Sequence, residues 1–250
     1  MTRRFGTHPD IPDVRDRIYL PPERVRLPPR VDLRPQCPPV YNQHSLNSCS
    51  ANAIAAAIWF DLRRSGSPAA PSPSRLFIYY NERVTERVVH QNVPVSLRDG
   101  YRSVARAGVC PEALWPYRVR QYTRKPHARC YQAAKRERVL SYFRLHRSLD
   151  SIRACLAEGF PFTLGVSVHE SFVSPEVHRT GRVPMPKPHE LLRGGHAMLA
   201  VGYDHREQHL IVRNSWGSGW GLGGYCLIPY GFILHESLSW DFWTSRRIGA

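Results

Sequence analysis

The chain has 250 residues, 42% of them hydrophobic and 22% charged; a domain of this size hides roughly 70 to 75% of its unfolded surface, so its core needs neither a metal nor a disulfide scaffold. The formal charge of +15 comes from 32 arginines and 3 lysines against 20 acids. These basic residues are dispersed, with runs such as Lys135-Arg136-Glu137-Arg138 broken by acid, and no nucleic-acid motif accompanies them, which speaks against a specific nucleic-acid partner.

Residues 1 to about 30 hold Pro21-Pro22 and Pro28-Pro29 and few periodic apolar positions, so an extended arm is expected there. This arm either lies across a cleft and restrains activity or pads the back of the domain. The next element is a helix from Cys49 onward. Apolar residues at Ala51, Ala55, Ile58 and Leu62 form its stripe, with Ser48 as the expected capping residue. Cys49 thus falls in the first turn, where the unpaired backbone N–H groups carry about half a positive charge and favour the thiolate. Alone, such a cysteine is most often a small buried hydrophobe.

Further helical stretches are expected around Leu76-Phe77-Ile78-Tyr79-Tyr80 and Gly100 to Arg106, separated from the first helix by a Ser65 to Pro73 loop. From Val139 onward the pattern turns to strands, with one short helix at Leu149 to Leu156. Pro161 to Val168 reads as a strand, as do Gly194 to Tyr203, His209 to Asn214 and Gly224 to Tyr230. The polar turn Asp204 to Gln208 makes the middle pair a hairpin. Centred on His205, it sets His196 opposite Asn214, close enough for the carboxamide oxygen to accept from the imidazole. One ring nitrogen would be fixed and the other aimed at a third group. Gly217, Gly219, Gly221, Gly223 and Gly224 precede a strand rather than a helix, which argues against a phosphate loop.

The chain resembles the papain-like cysteine peptidases. The likeness runs from Val31-Asp32-Leu33-Arg34 through Asn42-Gln43 and Ser48-Cys49 to Gly195-His196-Ala197 and Asn214-Ser215-Trp216-Gly217, about 220 residues in the family's order. Gln43 lies six residues before Cys49, as the family's oxyanion-hole glutamine does, and His196 follows Cys49 by 147, within the family's spacing. The Pro9-Asp10 and Arg15-Asp16 pairs are similar to those of a bacterial branch with a short N-terminus.

The resemblance implies an α+β, two-lobed fold with a cleft between a helical lobe and an antiparallel β-rich lobe. It would place an arm at 1–30 and a peptidase domain at 31–250, with the helical lobe about 44–136 and the β-rich lobe about 137–250 plus 31–43. It implies Cys49, His196, Asn214 and Gln43 as catalytic residues and Asn47, Ser48, Gly195 and Trp216 as substrate-binding, with Trp216 covering the His196–Asn214 bond. The reaction would be acyl transfer through a Cys49 thioester, resolved by water. A deamidase, transglutaminase-like or ligating enzyme could resolve the same thioester with amines, and a catalytically silent peptide-binding homologue is the remaining alternative.

Three departures from the family pattern matter. Leu46 removes a half-cystine that ties a cleft loop, so that disulfide cannot form. Asn47 stands where glycine is usual, with Asn tolerating left-handed backbone better than most residues. His44 also replaces a glycine, either to contact substrate or as a solvated loop histidine. Cys37, Cys49, Cys110, Cys130, Cys155 and Cys226 show no paired CxxC spacing, so no zinc site is expected; pairing among Cys37, Cys110, Cys130 and Cys155 stays open. No cofactor is expected. The partner is a peptide or protein substrate of a monomer, with acidic partners favoured by the basic surface. No run approaches the ~18 apolar residues of a membrane span. With no apolar stretch at Met1 to Gly6, the expected location is cytoplasmic, or outside the cell without a classical signal peptide.

Overall fold

The computed structural model describes residues 7–66 and 70–249, leaving residues 1–6 of the arm and part of the Ser65 to Pro73 loop outside the described residues. At the centre is helix α1 (Cys49–Arg64), and the expected single stripe is too narrow for it. Ala53, Ala56, Ala57 and Phe60 are as buried as Ala51, Ala55, Ile58 and Leu62. A helix apolar nearly all round is covered nearly all round. On one side lie α2 (Arg75–Thr85) and α3 (Leu97–Ala107), and on the other an antiparallel sheet, with alanines allowing close approach on both faces.

The helices start where short polar side chains satisfy orphan N–H groups. Ser74 accepts from Phe77 N, Ser96 from Asp99 N, and Ser148, before α5 (Leu149–Ala157), from Ser151 N. Helix α3 ends at Gly108, whose φ of 73° suits a residue without Cβ. A Cβ there would stand 1.8 Å from the carbonyl oxygen of Ala134, the last residue of α4 (Ala128–Ala134). That close approach holds the ends of α3 and α4 together.

The sheet takes β1 (Arg30–Asp32), β2 (Arg138–Arg144), β3 (Phe162–His169), β4 (Leu192–Asp204), β5 (His209–Arg213), β6 (Tyr225–Pro229) and β7 (Ser239–Gly249). Its order is β2-β7-β3-β4-β5-β6, with β1 on β4. The strand readings at Pro161 to Val168 and through the hairpin hold within two residues. Tyr230 is the exception: it opens a short helix over Tyr230–Leu234. The result is the expected α+β, two-lobed architecture, a helical lobe facing an antiparallel lobe with α1 along the seam.

Residues 7–29 run over both lobes. Asp10 accepts from Arg98 N at 3.1 Å and from Trp243 Nε1 at 2.8 Å, while Asp16 pairs with Arg98 at 2.5 Å and with Arg144 at 3.1 Å. The arm is therefore clamped to α3, β2 and β7 together. No helix among the described residues is long and apolar enough to cross a membrane.

Candidate active site

Cys49 is the first residue of α1 and is fully buried, its sulfur within reach of the backbone N–H of Ala197 on β4. Burial pushes its thiol up to about 11, the N–H groups of Ala197, Ser50 and Cys49 pull it back, and Glu82 adds to the rise. Desolvation and the helix N-terminus act on this thiol in opposite directions. Ser48 occupies the N-cap position but makes no capping bond. Its hydroxyl instead meets Tyr117 Oη at 2.6 Å and accepts from Asn52 Nδ2 at 3.1 Å.

His196 stands one residue before Ala197 on β4, fully buried, and its Nε2 donates to Asn214 Oδ1 at 2.8 Å. The same oxygen accepts from Ser215 N at 2.7 Å, which fixes the orientation of the carboxamide. The bond is as expected, but the register that makes it is not. Leu199 faces Arg213, and a bulge follows, so that Gly202 faces Ile211. Continued back along the strand, that pairing sets Asn214 across from Met198 rather than His196. The contact is diagonal, still within reach of two long polar side chains. The extra residue near Val201 shifts the turn away from His205, and periodicity alone carries no sign of a bulge. Trp216 stacks on the imidazole with centroids 4.8 Å apart and planes 28° apart. It packs in turn against Trp220 and Phe172.

Gln43 reaches this place because residues 41–43 pair with 215–217 through a bridge at Asn42 and Trp216 and the bond from Gln43 N to Ser215 O. Its side chain is buried, Oε1 accepting from Ser215 Oγ at 2.6 Å and Nε2 donating to Leu46 O at 2.9 Å. Gln43, Cys49, His196, Asn214 and Trp216 are therefore brought to the seam between the lobes.

The side chains of Asn47 and Ser48 are both buried. Asn47 is 8% exposed, its N–H donates to Asn92 Oδ1 at 2.8 Å and its Nδ2 to Asn92 O at 2.6 Å. The left-handed residue of this loop is His44, at φ 51°, and not Asn47. His44 is exposed. Gly195 is half-buried beneath the arm: Thr7 N donates to its carbonyl at 3.2 Å, and a Cβ on Gly195 would come within 2.0 Å of Thr7 O.

Four supporting residues went unread in the sequence. Asn92 ties the loop left without a half-cystine, since it also donates to Ser45 O at 3.2 Å and accepts from Tyr79 Oη at 2.8 Å. Tyr117 props Ser48 and donates to Gln43 O at 2.9 Å. Ser215 holds Gln43, and its place beside Asn214 was the one available signal. Glu82, fully buried on α2, accepts from Ser50 Oγ at 2.8 Å, and burial raises its carboxyl to about 8. Among the described residues no cluster of His, Cys, Asp or Glu could hold a metal ion. Residues of this kind, a buried thiol and a carboxamide-oriented imidazole beside a held glutamine amide, can carry acyl transfer.

The family model described as papain family cysteine protease matches residues 95–233. An uncharacterized peptidase C1-like protein of Acanthamoeba polyphaga mimivirus is 35% identical over 99% of this chain and 88% of its own length. Mouse cathepsin K is 27% identical over 85% of this chain and 63% of its own length. Among solved structures, that of xylellain, a cysteine protease from Xylella fastidiosa, superposes with a TM-score of 0.90 at 40% identity, covering 98% of both chains.

Proposed function

The chain belongs to the papain family of cysteine proteases, is a peptidase, and on that premise we propose that Cys49 and His196 carry its chemistry, with Asn214 and Gln43 in support. The reading rests on one observation. His196 Nε2 is held by Asn214, and α1, with the buried Cys49 at its start, packs against the strand that carries His196.

With Nε2 engaged, proton exchange between His196 and the reacting groups runs through Nδ1. The Cys49 thiol passes its proton to His196 as its sulfur attacks the peptide carbonyl, and the developing oxyanion is met by the Cys49 backbone N–H and by the Gln43 N–H that Leu46 does not use. Each such donor contributes about 3 to 4 kcal/mol to the transition state in comparable hydrolases. The imidazolium gives its proton to the leaving amine, the C–N bond breaks and a thioester remains. Neutral His196 then takes a proton from water, hydroxide adds to the thioester and the Cys49 sulfur leaves. A neutral carboxamide at Asn214 orients the ring without favouring the imidazolium as strongly as a carboxylate would. Trp216 over the ring keeps water from the His196–Asn214 bond.

The arm belongs to this reading as a restraint on the enzyme. Thr7 links Gly195 on β4 to Val95 just before α3, where its hydroxyl donates at 3.1 Å. It thereby bridges the two walls of the cleft beside His196. When the arm gives way, the Gly195 carbonyl accepts a substrate N–H in its place.

The test is treatment with an epoxide inactivator of cysteine peptidases, combined with product analysis on a mixed peptide library. One adduct per chain, lost together with all cleavage in Cys49→Ala, is the expected result. Cleavage that persists in Cys49→Ala removes Cys49 as nucleophile.

A further inference from the structure

Trp240 of β7 stands opposite Gly165 of β3, and its indole lies over that strand toward β4. A Cβ on Gly165 would come within 2.2 Å of Trp240 Nε1, and a Cβ on Gly195 within 2.9 Å of Trp240 Cζ2. The ring therefore needs both strands bare at these positions, the use of glycine where another group approaches closely. The carbonyl oxygen of Thr7 comes within 2.0 Å of the same vacant Cβ position on Gly195. Arm and indole thus share the space beside the residue that precedes His196. Thr7 is 6% exposed there, with its hydroxyl donating across the seam to Val95 O at 3.1 Å.

We propose that Trp240 limits this place to short side chains, so that the peptidase prefers substrates with threonine at the residue whose N–H replaces that of Thr7 on Gly195. The proposal rests on the substrate taking the arm's place at Gly195, as in the proposed function. A threonine there repeats the fit of Thr7, hydroxyl included. Valine has the same shape but leaves Val95 O without its donor, and serine keeps the donor but fills less of the space.

A longer or aromatic side chain has to move the indole. The backbone of Gly165 lies directly beneath the ring, and the next residue of β7 is anchored, Asp241 accepting from Asp10 N at 2.5 Å and from Arg144 at 2.6 Å. Trp240 is thereby held as a specificity-determining residue. A pocket that lacks room for one methylene already discriminates by about 10-fold or more.

The experiment gives the full chain a mixed peptide library, with Cys49→Ala as the blank, and reads the cleavage products by mass spectrometry. At one fixed position relative to the cut bond, threonine should exceed leucine and phenylalanine by about 10-fold or more and valine by about 2- to 10-fold. Trp240→Ala should raise leucine and phenylalanine at that position alone by about 10-fold; Trp240→Leu should give a smaller shift of the same kind if the first variant folds poorly. Cleavage that requires Cys49 but shows no position favouring short residues, or a Trp240→Ala profile identical to wild type, overturns this proposal and leaves Cys49 as nucleophile. A second measurement needs no cleavage, because the same size limit acts on the arm. Thr7→Leu should lower Tm by about 2 °C or more in the wild-type background and by clearly less in Trp240→Ala. Equal losses in both backgrounds overturn the proposal as well.

Discussion

Thr7 donates its backbone N–H to the carbonyl of Gly195, the residue immediately before His196, at 3.2 Å. The same residue's hydroxyl reaches Val95 on the opposite lobe, so a single arm residue ties the two sides of the seam. On the proposed reading, a substrate bound at Gly195 competes with both bonds. Whether this restrains the enzyme is best tested without removing the clamp behind it, because Arg98 would be left buried without Asp16.

Thr7→Pro removes the N–H and the hydroxyl donors but keeps Asp10 and Asp16 in place. Each lost hydrogen bond is worth about 0.5 to 1.5 kcal/mol. An arm that restrains should therefore give way, raising kcat/KM roughly 5- to 150-fold on a peptide substrate. An arm that only pads leaves kcat/KM unchanged, and a peptide assay across pH 5 to 9 separates the two.

Gln43 and Ser215 give a graded prediction. Gln43→Ala removes one oxyanion donor and should cost about 10²- to 10³-fold in kcat with little change in KM. Ser215→Ala leaves the amide present but releases the bond to its Oε1, so the loss should be about 10-fold or less. Equal losses in the two variants, measured by steady-state kinetics, would mean that Ser215 does more than hold Gln43.

Glu82 makes stability depend on pH. Burial raises its carboxyl from 4.5 to about 8 in the folded chain, Glu86 and Asp99 adding to the rise while Ser50 and Arg83 oppose it. A carboxyl that holds its proton more tightly when folded stabilises fully below about pH 4.5. That contribution is lost as pH rises to about 8, at no more than about 1.4 kcal/mol per pH unit. Glu82→Gln keeps an acceptor for Ser50 Oγ and cannot ionise, so it should gain on wild type in urea midpoint through this window and level off above it. Because charged Glu82 also raises the Cys49 thiol, the variant should hold kcat/KM to higher pH. Parallel urea titrations from pH 4.5 to 9 check the first effect and a pH–rate profile the second.

What could be read in the sequence followed from chemistry carried by single residues. Cys49 at a helix start and the polar turn between two apolar runs each needed only local pattern, Gln43 came with the resemblance to the papain-like peptidases, and His196 and Asn214 do bond. Geometry that depends on the backbone between such residues was hidden. The bulge near Val201 changes which residues oppose each other, yet Leu199 to Tyr203 remain apolar in either register. Strand β7 went unread because Asp241 takes a φ of 53° and the pairing with β3 shifts between Thr163 and Gly165, which breaks the alternation that marks a strand. Ser48 looked like a cap, but a buried Tyr117 hydroxyl competes for it, a contact 69 residues away.

The tether at Asn92 carries the last prediction. Its carboxamide oxygen accepts from Asn47 N and Tyr79 Oη, and its nitrogen donates to Ser45 O. The loop from Ser45 to Asn47, which leads directly into Cys49, is thus fastened by hydrogen bonds where Leu46 rules out a disulfide. Asn92→Ala should cost about 1 to 3 kcal/mol of stability, since Asn47 N loses its partner in a mostly buried position, whereas Tyr79 Oη retains Val93 O at 3.0 Å. Because a misplacement near 1 Å at a reacting atom can cost about 10²-fold, kcat should fall by more than the stability loss alone would reduce the folded fraction at 25 °C. Asn92→Asp keeps the acceptor for Asn47 N and should recover most of the stability while losing the bond to Ser45. Unchanged kcat in a less stable Asn92→Ala would show that the tether supports the fold and leaves the nucleophile's position to α1 itself.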